Sequence, residues 1–499
     1  MIKKILSVVV LSAALAQPLA YTAQSAPDAQ RLDLPKCIEL ALQNNERSKI
    51  SRDSVEMALA VHRQAISAWW PQISGSIMGS RMDEDPSFLF PASQISVPAS
   101  AMTITPAPIT LPANIFGPGF PPSDITIPLQ PATVNVPAQV MPVPEQNIKL
   151  MNRDNLLASV NFTLPLFTGG LRTARIKQAR AGVEVARQDE RRTDLEVIYD
   201  VKRLYYAVVM GNQLLNISRD TLARMEATLN ITEKMYQTGS GTVKKTDYLR
   251  NKFVAETLRG VVAEMDSREK VIQTTLLMTM GLDMADSLTL ADSELPYAPK
   301  APDLTATLQT ALSNNPDLAK IEAAIQAARF GVKAARSGHL PKVALVGKAY
   351  RIANSYDSGI MTEDNKSAWM VGIGVDIPIF QGFRVSNEVA EQRANLKKLE
   401  HQRDLLRQGI ALQIRSTCFD LLKTQEQQKS GLDALQTAKE NRELNVRAYQ
   451  EELVETKEVI EAQIYEALLS GQYQKILYDH LETQAHLDFI VGERKGTTK

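Results

Sequence analysis

The chain repeats itself. Asn44-Asn45 returns as Asn314-Asn315, and Trp70-Pro71-Gln72 returns as Leu340-Pro341-Lys342, both 270 positions later. Leu164-Pro165-Leu166-Phe167-Thr168-Gly169 returns as Ile377-Pro378-Ile379-Phe380-Gln381-Gly382, and Tyr236-Gln237 as Tyr449-Gln450, now 213 positions later. An internal duplication with one excess of 57 residues between Pro71 and Pro165 accounts for both offsets. Length alone would suggest about three domains. The duplication instead sets a first repeat over 27–282, a linker over 283–303 with Pro296, Pro299 and Pro302, and a second repeat over 304–499.

Each repeat reads as helix, strand, strand and a long helical hairpin. The first helices, over 35–68 and 304–338, are rich in Ala, Gln, Glu, Arg and Lys and stop before Pro71 and Pro341. No proline lies between Pro165 and Pro296 or after Pro378. The segments 169–236 and 382–449 are 68 residues each, so as helices they would be about 100 Å long. A single globular domain cannot bury such a rod. Leu195, Ile198, Tyr199, Lys202, Tyr205, Tyr206 and Val209 keep helical spacing among charges and glutamines, which is a coiled-coil pattern of narrow apolar seams and wide wet faces. The hairpins turn at 238–242 and 451–454 and return to about 282 and 494.

The strands carry a period of two. Leu156, Ala158, Val160, Phe162 and Leu164 alternate with Leu157, Ser159, Asn161 and Thr163; Trp369, Val371, Ile373, Val375 and Ile377 alternate with Met370, Gly372, Gly374 and Asp376. Weaker partners lie over 72–82 and 342–352. About 9–11 residues is the length a tilted strand needs to cross a bilayer. Trp69, Trp70, Phe167, Trp369 and Phe380 stand near strand ends, where aromatic girdles lie. Four strands are too few for a transmembrane barrel, whose minimum is about eight, and an open edge in lipid leaves backbone groups unpaired. Membrane-spanning strands therefore require oligomerisation, and three copies give twelve. The competing reading is a pair of hairpins capping a soluble helical bundle.

The excess falls in the first hairpin, over about 83–147. From Pro86 to Pro144 stand 14 of the 25 prolines and one charged residue, Asp124. That proline density disfavours strand and helix alike, so an extended loop is expected. At the N-terminus, Lys3 and Lys4 precede the apolar run 5–16 and small residues up to Ala26, so 1–26 reads as a secretory signal. Lys36 before Cys37 does not suit a lipid anchor, and Cys37 and Cys418 read as two buried free thiols. Beyond the signal no run of 18 apolar residues exists. Formal net charge is zero, from 56 basic and 56 acidic residues, which argues against nucleic acid as a partner.

No catalytic, cofactor or metal constellation stands out. The segment 239–246 lacks the glycine a phosphate loop needs before its final lysine, and it follows a helix. His480 and His486 are six apart and do not share a helix face.

The signal, the duplicated helix–strand–strand–helix order, the Leu164-to-Gly170 strand-to-helix junction and the Gly241/Asp247/Leu249 turn together resemble the TolC-type outer-membrane efflux proteins. The resemblance covers nearly the whole mature chain. It implies a mainly α fold with a small β part: a trimeric, 12-stranded outer-membrane barrel continued by a long periplasmic α-helical barrel. The implied function is a passive exit duct of a tripartite efflux pump or type I secretion system in a Gram-negative outer membrane. Its implied partners are a periplasmic adaptor, an inner-membrane transporter and outer-membrane lipid. The resemblance also implies a gate where the hairpins turn. Tyr449 matches the tyrosine linked to Asp247, with Thr246 beside it, and Glu458 and Glu461 match a pair of carboxylates lining the constriction. In a trimer they would form two rings of three, a cation-attracting throat. Gly239, Gly241, Leu249 and Leu453 fall at the turns where an adaptor docks. The chain departs from the pattern at Glu452, where glycine is usual, and at Val454, where arginine is frequent. The first turn is also two residues longer, since Asp247 and Glu458 are 211 apart. The alternative to a duct is a soluble periplasmic coiled-coil adaptor, which would need β-rich domains that the four legible strands do not supply.

Overall fold

The computed structural model describes residues 31–97, 100–104, 106–111, 125–136, 139–239, 243–286, 288–353 and 366–493. The signal expected over 1–26 lies outside them. In chain order, α1 (Leu34–Asn44) and α2 (Glu46–Ser67) lead to β1 (Gln72–Arg81). There follow β2 (Ser87–Phe90), β3 (Ser93–Val97), β4 (Ser100–Ile104), β5 (Ile109–Leu111), β6 (Ile125–Ile127), β7 (Ala132–Val136), β8 (Gln139–Val143) and β9 (Gln146–Lys149). Then come β10 (Asp154–Phe167), α3 (Leu171–Gln237) and α4 (Lys245–Met280). The second repeat supplies α5 (Leu304–Asn314), α6 (Pro316–Arg336), β11 (Lys342–Ala353), β12 (Ser367–Asp376), α7 (Arg384–Gln450) and α8 (Thr456–Val491). The chain divides into a β unit, Ser67–Gly169 with Gly338–Phe380, and a helical unit built from the remaining segments, so both units draw on both repeats.

In the helical unit, α3 and α7 are 67 residues each, a length that their freedom from proline permits. Each pairs with its returning helix, and α3 also packs on α6 and α8. One core joins Cys37, Ile38 and Ala41 of α1 to Val201, Tyr205 and Val208 of α3 and Leu276 and Met280 of α4. A second joins Ala311 of α5, Ile410, Ile414 and Cys418 of α7, and Ile490 of α8. The two thiols thus sit in separate clusters, free and buried. Burial, with help from Asp33, pushes the Cys37 thiol up to about 12 and keeps it protonated.

The first helix of each repeat is broken, contrary to the continuous helices expected over 35–68 and 304–338. The breaks fall at Asn45 and Asn315, both extended, with ψ of 129° and 124°. Pro316 forces the second, because a residue before proline is driven out of the α region. The repeated asparagine then does two jobs. Its Oδ1 caps the following helix, accepting from Arg47 N in the first repeat and from Asp317 N and Leu318 N in the second. Its Nδ2 donates to the end of the returning helix, Asn45 to Thr279 O at 2.7 Å and Asn315 to Ile490 O at 2.8 Å. Those helices end in left-handed Gly281 and Gly492, where a Cβ would stand 2.8 Å from Asn44 and 2.7 Å from Asn314 O.

The β unit holds one antiparallel four-stranded sheet in the order β1-β10-β11-β12. Its registers put Ile73, Phe162, Gly347 and Val371 in one row, and Gly75, Val160, Ala349 and Trp369 in another on the same face. The row Ser74, Asn161, Lys348 and Met370 lies on the other face. The expected division into an apolar face and a small or polar face therefore holds over most of the sheet, broken by Arg351 on the first face and by the row Met78, Leu157 and Ile352 on the second. Both edge strands, β1 and β12, are exposed along nearly their whole length.

The proline-rich excess is not the loop its composition suggested. β2 pairs with β9, β3 with β8, β4 with β7 and β5 with β6, forming one interrupted antiparallel ribbon. Ser87 faces Lys149, Ser100 faces Val136 and Ile109 faces Ile127, so the register never slips. The prolines punctuate the ribbon rather than abolish it. Pro91, Pro106, Pro128 and Pro144 stand between pairs, and Pro142 alone of the described prolines in this ribbon lies within a strand. In a two-stranded ribbon every residue is at an edge, so a proline removes only a local rung. Among the described residues no helix is long and apolar enough to cross a membrane.

Candidate functional site at the helical turns

Both hairpins turn through a left-handed residue. Gly239 follows α3 at φ +72°, and Glu452 follows α7 at φ +60° in the matching place. Glycine adopts this conformation freely, whereas glutamate pays about 1 kcal/mol for it. Gly241 lies outside the described residues. Leu249 and Leu453, the other expected docking residues, are exposed.

Of the expected gate residues, Thr246 is exposed in the first turn of α4 and Asp247 is half-buried beside it. Asp247 Oδ2 accepts from Lys244 N at 3.0 Å, where a carboxylate satisfies an unpaired helix-start donor and meets the positive end of the dipole. Glu458 and Glu461 are both exposed, while Val459, Ile460, Ala462 and Gln463 of the same stretch are buried. Lys457 approaches Glu461 at 3.7 Å.

Tyr449 does not meet Asp247. It is buried, and its hydroxyl lies 2.9 Å from Thr232 Oγ1 and 3.0 Å from Thr456 Oγ1. The seam side of α7 carries Tyr449 toward α3 and α8, whereas Asp247 caps its own helix. Thr232 Oγ1 donates its hydrogen to Thr228 O at 2.8 Å, so it must accept from Tyr449. Tyr449 in turn accepts from Thr456. The result is a one-way chain, Thr456 to Tyr449 to Thr232 to Thr228 O, in which each bond polarises the next. Asn251 Nδ2 donates to Thr232 Oγ1 at 3.3 Å, and Gln463 Nε2 donates to Thr228 Oγ1 at 3.0 Å. One step further from the turns, Glu466 is buried between two guanidinium groups, Arg442 Nε at 3.0 Å and Arg224 Nη2 at 3.3 Å.

The sequence reading missed this polar joint. Its signal was present: Thr456 and Gln463 are seven apart, as are Arg442 and Tyr449, and Arg224, Thr228 and Thr232 are spaced by four. These are seam positions of a coiled coil, where apolar residues normally stand.

A family model described as "Outer membrane efflux protein" matches residues 146–268 and 307–493. The chain belongs to the outer membrane efflux protein family. Membership places it in the outer membrane. The matched residues begin with β9, the last strand of the proline-rich ribbon. The chain is 23% identical over 256 residues to the outer membrane efflux protein BepC of Brucella suis, covering 51% of this chain and 54% of BepC. It is 21% identical over 355 residues to the alkaline protease secretion protein AprF of Pseudomonas aeruginosa, covering 68% and 70%. The match thus spans about half the length of BepC and somewhat over two thirds of AprF. The fold is similar to the outer membrane protein VceC of Vibrio cholerae, with TM-score 0.67 and 14% identity over 92% of this chain and 96% of that one. The efflux-family fold, mainly α with a small β part, is therefore shared across nearly the whole chain at low identity.

Proposed function

We propose that three copies of this chain form a passive exit duct in the outer membrane, as part of a tripartite export system with a periplasmic adaptor and an inner-membrane transporter. The observation that carries the proposal is the open four-stranded sheet. Its apolar face is exposed, and its two edge strands leave ladder donors and acceptors unpaired, which lipid does not tolerate. Edge-to-edge closure of three such sheets gives twelve strands with the apolar face toward lipid and the small or polar face toward the lumen.

The helical unit supports assembly into a ring of copies through the duplication. Within one chain, Tyr199 of α3 stacks on Phe489 of α8 at 5.9 Å, lies 5.6 Å from His486 and donates its hydroxyl to Glu482. The repeat offsets map this joint onto Leu412 of α7 and onto Val271, Thr275 and Met278 of α4. In the single chain Leu412, Val271 and Met278 are 70%, 62% and 57% exposed. A ring of copies brings α7 of one against α4 of the next and covers all three. Likewise α6 packs on α3 and α7, whereas its counterpart α2 buries only Ser48 and Ser51 and leaves Ile50, Met57 and Val61 exposed.

Family members are channel proteins, and on this reading the chain moves cargo without chemistry of its own. BepC is named for efflux and AprF for protease secretion, so the family serves both cargo classes. Glu458 and Glu461, exposed on one face of α8, supply two carboxylate rings in the trimer, and the exposed Leu249 and Leu453 offer the adaptor its apolar contact. The test is direct. Purified protein in detergent should have the mass of three protomers and should form cation-preferring channels in a planar lipid bilayer. A monomer that leaves the bilayer silent refutes the duct.

A further inference from the structure

One unpaired charge interrupts the apolar face of the sheet. The registers put Ile77, Ala158, Arg351 and Ser367 in one row of that face. The row on one side of it holds Trp369, which is 78% exposed, and the row on the other side holds Gly79, Leu156 and Ala353. Arg351 is exposed and has no hydrogen bond or ion pair among the described residues. Asp154 is the only carboxylate that the four strands place on this face, and it approaches Arg81 at 3.5 Å. A neighbouring copy presents the same four strands, so closure of the sheet brings Arg351 no partner either.

On the duct reading this face meets lipid, where a charge costs most at the bilayer midplane and least at its surface. Strand length decides the depth. Ile377, 61% exposed, stands just past the end of β12, and Val375, two residues before it, faces Val343 of β11. From the level of Ile377 to Arg351 is therefore ten residues of strand, or about 33 Å. A tilt of about 40° turns this into about 25 Å of height, the thickness of the apolar band of such barrels. Arg351 thus stands at the rim of the band. In sequence the long helices follow the opposite ends of β10 and β12, so with the helices in the periplasm this rim belongs to the outer leaflet.

Beyond Arg351 the face is hollowed. Gly79 and Ala353 flank Leu156 with little or no side chain, and a cavity of about 730 Å³ lined by Gly79, Arg81, Asp154, Leu156 and Ala353 lies there. Arg351 borders it from the next position of the same face on β11. Arg81 and Asp154 offset each other, so the hollow carries the one positive charge of Arg351. On its other side Arg351 adjoins hydrocarbon, since Ile77, Val160 and Val371 are all exposed.

We propose that Arg351 and the hollow bind the phosphate-bearing headgroup of an outer-leaflet lipid, whose chains lie over Ile77, Val160 and Val371. This rests on the duct reading, which puts the apolar face in the bilayer. An arginine suits the role, because its planar fork grips a phosphate through two parallel N–H bonds and its charge is never lost.

The test titrates the full-length protein in detergent with lipid A, a glycolipid carrying two phosphates, and reads the bound fraction by native mass spectrometry. Wild type should hold one lipid per protomer. Arg351→Ala should weaken binding about tenfold to hundredfold, the effect of losing a charge-assisted contact. Gly79→Leu keeps every charge but fills the hollow, where a Cβ would meet only Leu156 at 3.8 Å, and should weaken binding as well. Lys348→Ala removes a positive charge from the other face of the same strand and should leave binding unchanged. Inorganic phosphate at the same concentration should not compete, because it lacks the chains. Trimer mass and channel conductance report that each variant is assembled; if R351A does not assemble, G79L carries the test. Wild-type affinity in R351A or G79L, an equal loss in K348A, or competition by inorganic phosphate overturns the lipid site while conducting channels uphold the duct. A wild type that forms no channel overturns the duct and the lipid site with it.

Discussion

Replacing Leu412 with aspartate should break the assembly. Leu412 is 70% exposed in the single chain, and the duplication maps it onto the position of Tyr199, which packs against Phe489. Fully burying a leucine is worth about 1.5–3 kcal/mol, so covering the exposed part of Leu412 contributes about 1–2 kcal/mol per joint. A closed ring of three copies has three such joints, and the total is about 3–6 kcal/mol per trimer. At 1.4 kcal/mol per decade, Leu412→Asp therefore weakens the trimer by at least about a hundredfold to ten-thousandfold. Desolvating three carboxylates against Val271 and Met278 adds to that loss. Sedimentation in detergent over a dilution series reads the shift directly. Met278→Lys in the same chain should restore part of the assembly, since each new carboxylate then meets an ammonium on the neighbouring copy. An L412D protein that stays trimeric over the same dilutions as wild type refutes the mapping of the within-chain joint onto the copy-to-copy joint.

Other outcomes follow from single residues. Gly492→Ala places a Cβ 2.7 Å from Asn314 O at a left-handed φ of +79° and should cost roughly 2–3 kcal/mol of helical-unit stability in thermal unfolding followed by circular dichroism. Gly182→Ala, with nothing within 4 Å, should instead be neutral or slightly stabilising. Glu452→Gly relieves the left-handed glutamate and should stabilise by up to about 1 kcal/mol in the same measurement. His480 is buried against Thr424 and the Tyr297 ring, and burial lowers its pKa below the usual 6.5. The folded state then binds fewer protons than the unfolded one, so the His480 contribution is whole above about 6.5. It is lost as pH falls toward the folded pKa, by at most about 1.4 kcal/mol per pH unit. Melting temperature between pH 7.5 and 5.5 should fall less in His480→Gln than in wild type.

Much of the architecture was legible because its signals are local. A proline-free run of some 68 residues with seam periodicity reads as a long helix, and period-two alternation, clear in two strands and weaker in their partners, located the four sheet strands within two or three residues. The breaks at Asn45 and Asn315 were hidden by good helix formers on both sides. Only Pro316 announced them, and only in the second repeat. The ribbon was hidden for the opposite reason. Proline density reads as loop unless the chain pairs with itself in a register that keeps most prolines between rungs, and registration is a non-local property. The Tyr449–Asp247 bond failed on direction: sequence spacing put both residues near the turn but did not reveal that one faces the seam and the other its own helix end.

By itself, then, the sequence determined the duplication, the element order, the long hairpins and the two-faced strands. These depend on periodicity, propensity and punctuation within a few turns of chain. Only the tertiary structure decided that the repeated asparagines tie each broken helix to the end of a returning one, and that the excess residues form a paired ribbon. It alone decided that the seam near the turns is closed by hydroxyls and by a buried Glu466 held between Arg224 and Arg442. These join residues as far apart as Gln463 and Thr228, 235 positions, or Arg224 and Glu466, further still, and no local pattern specifies which partner such a side chain will meet.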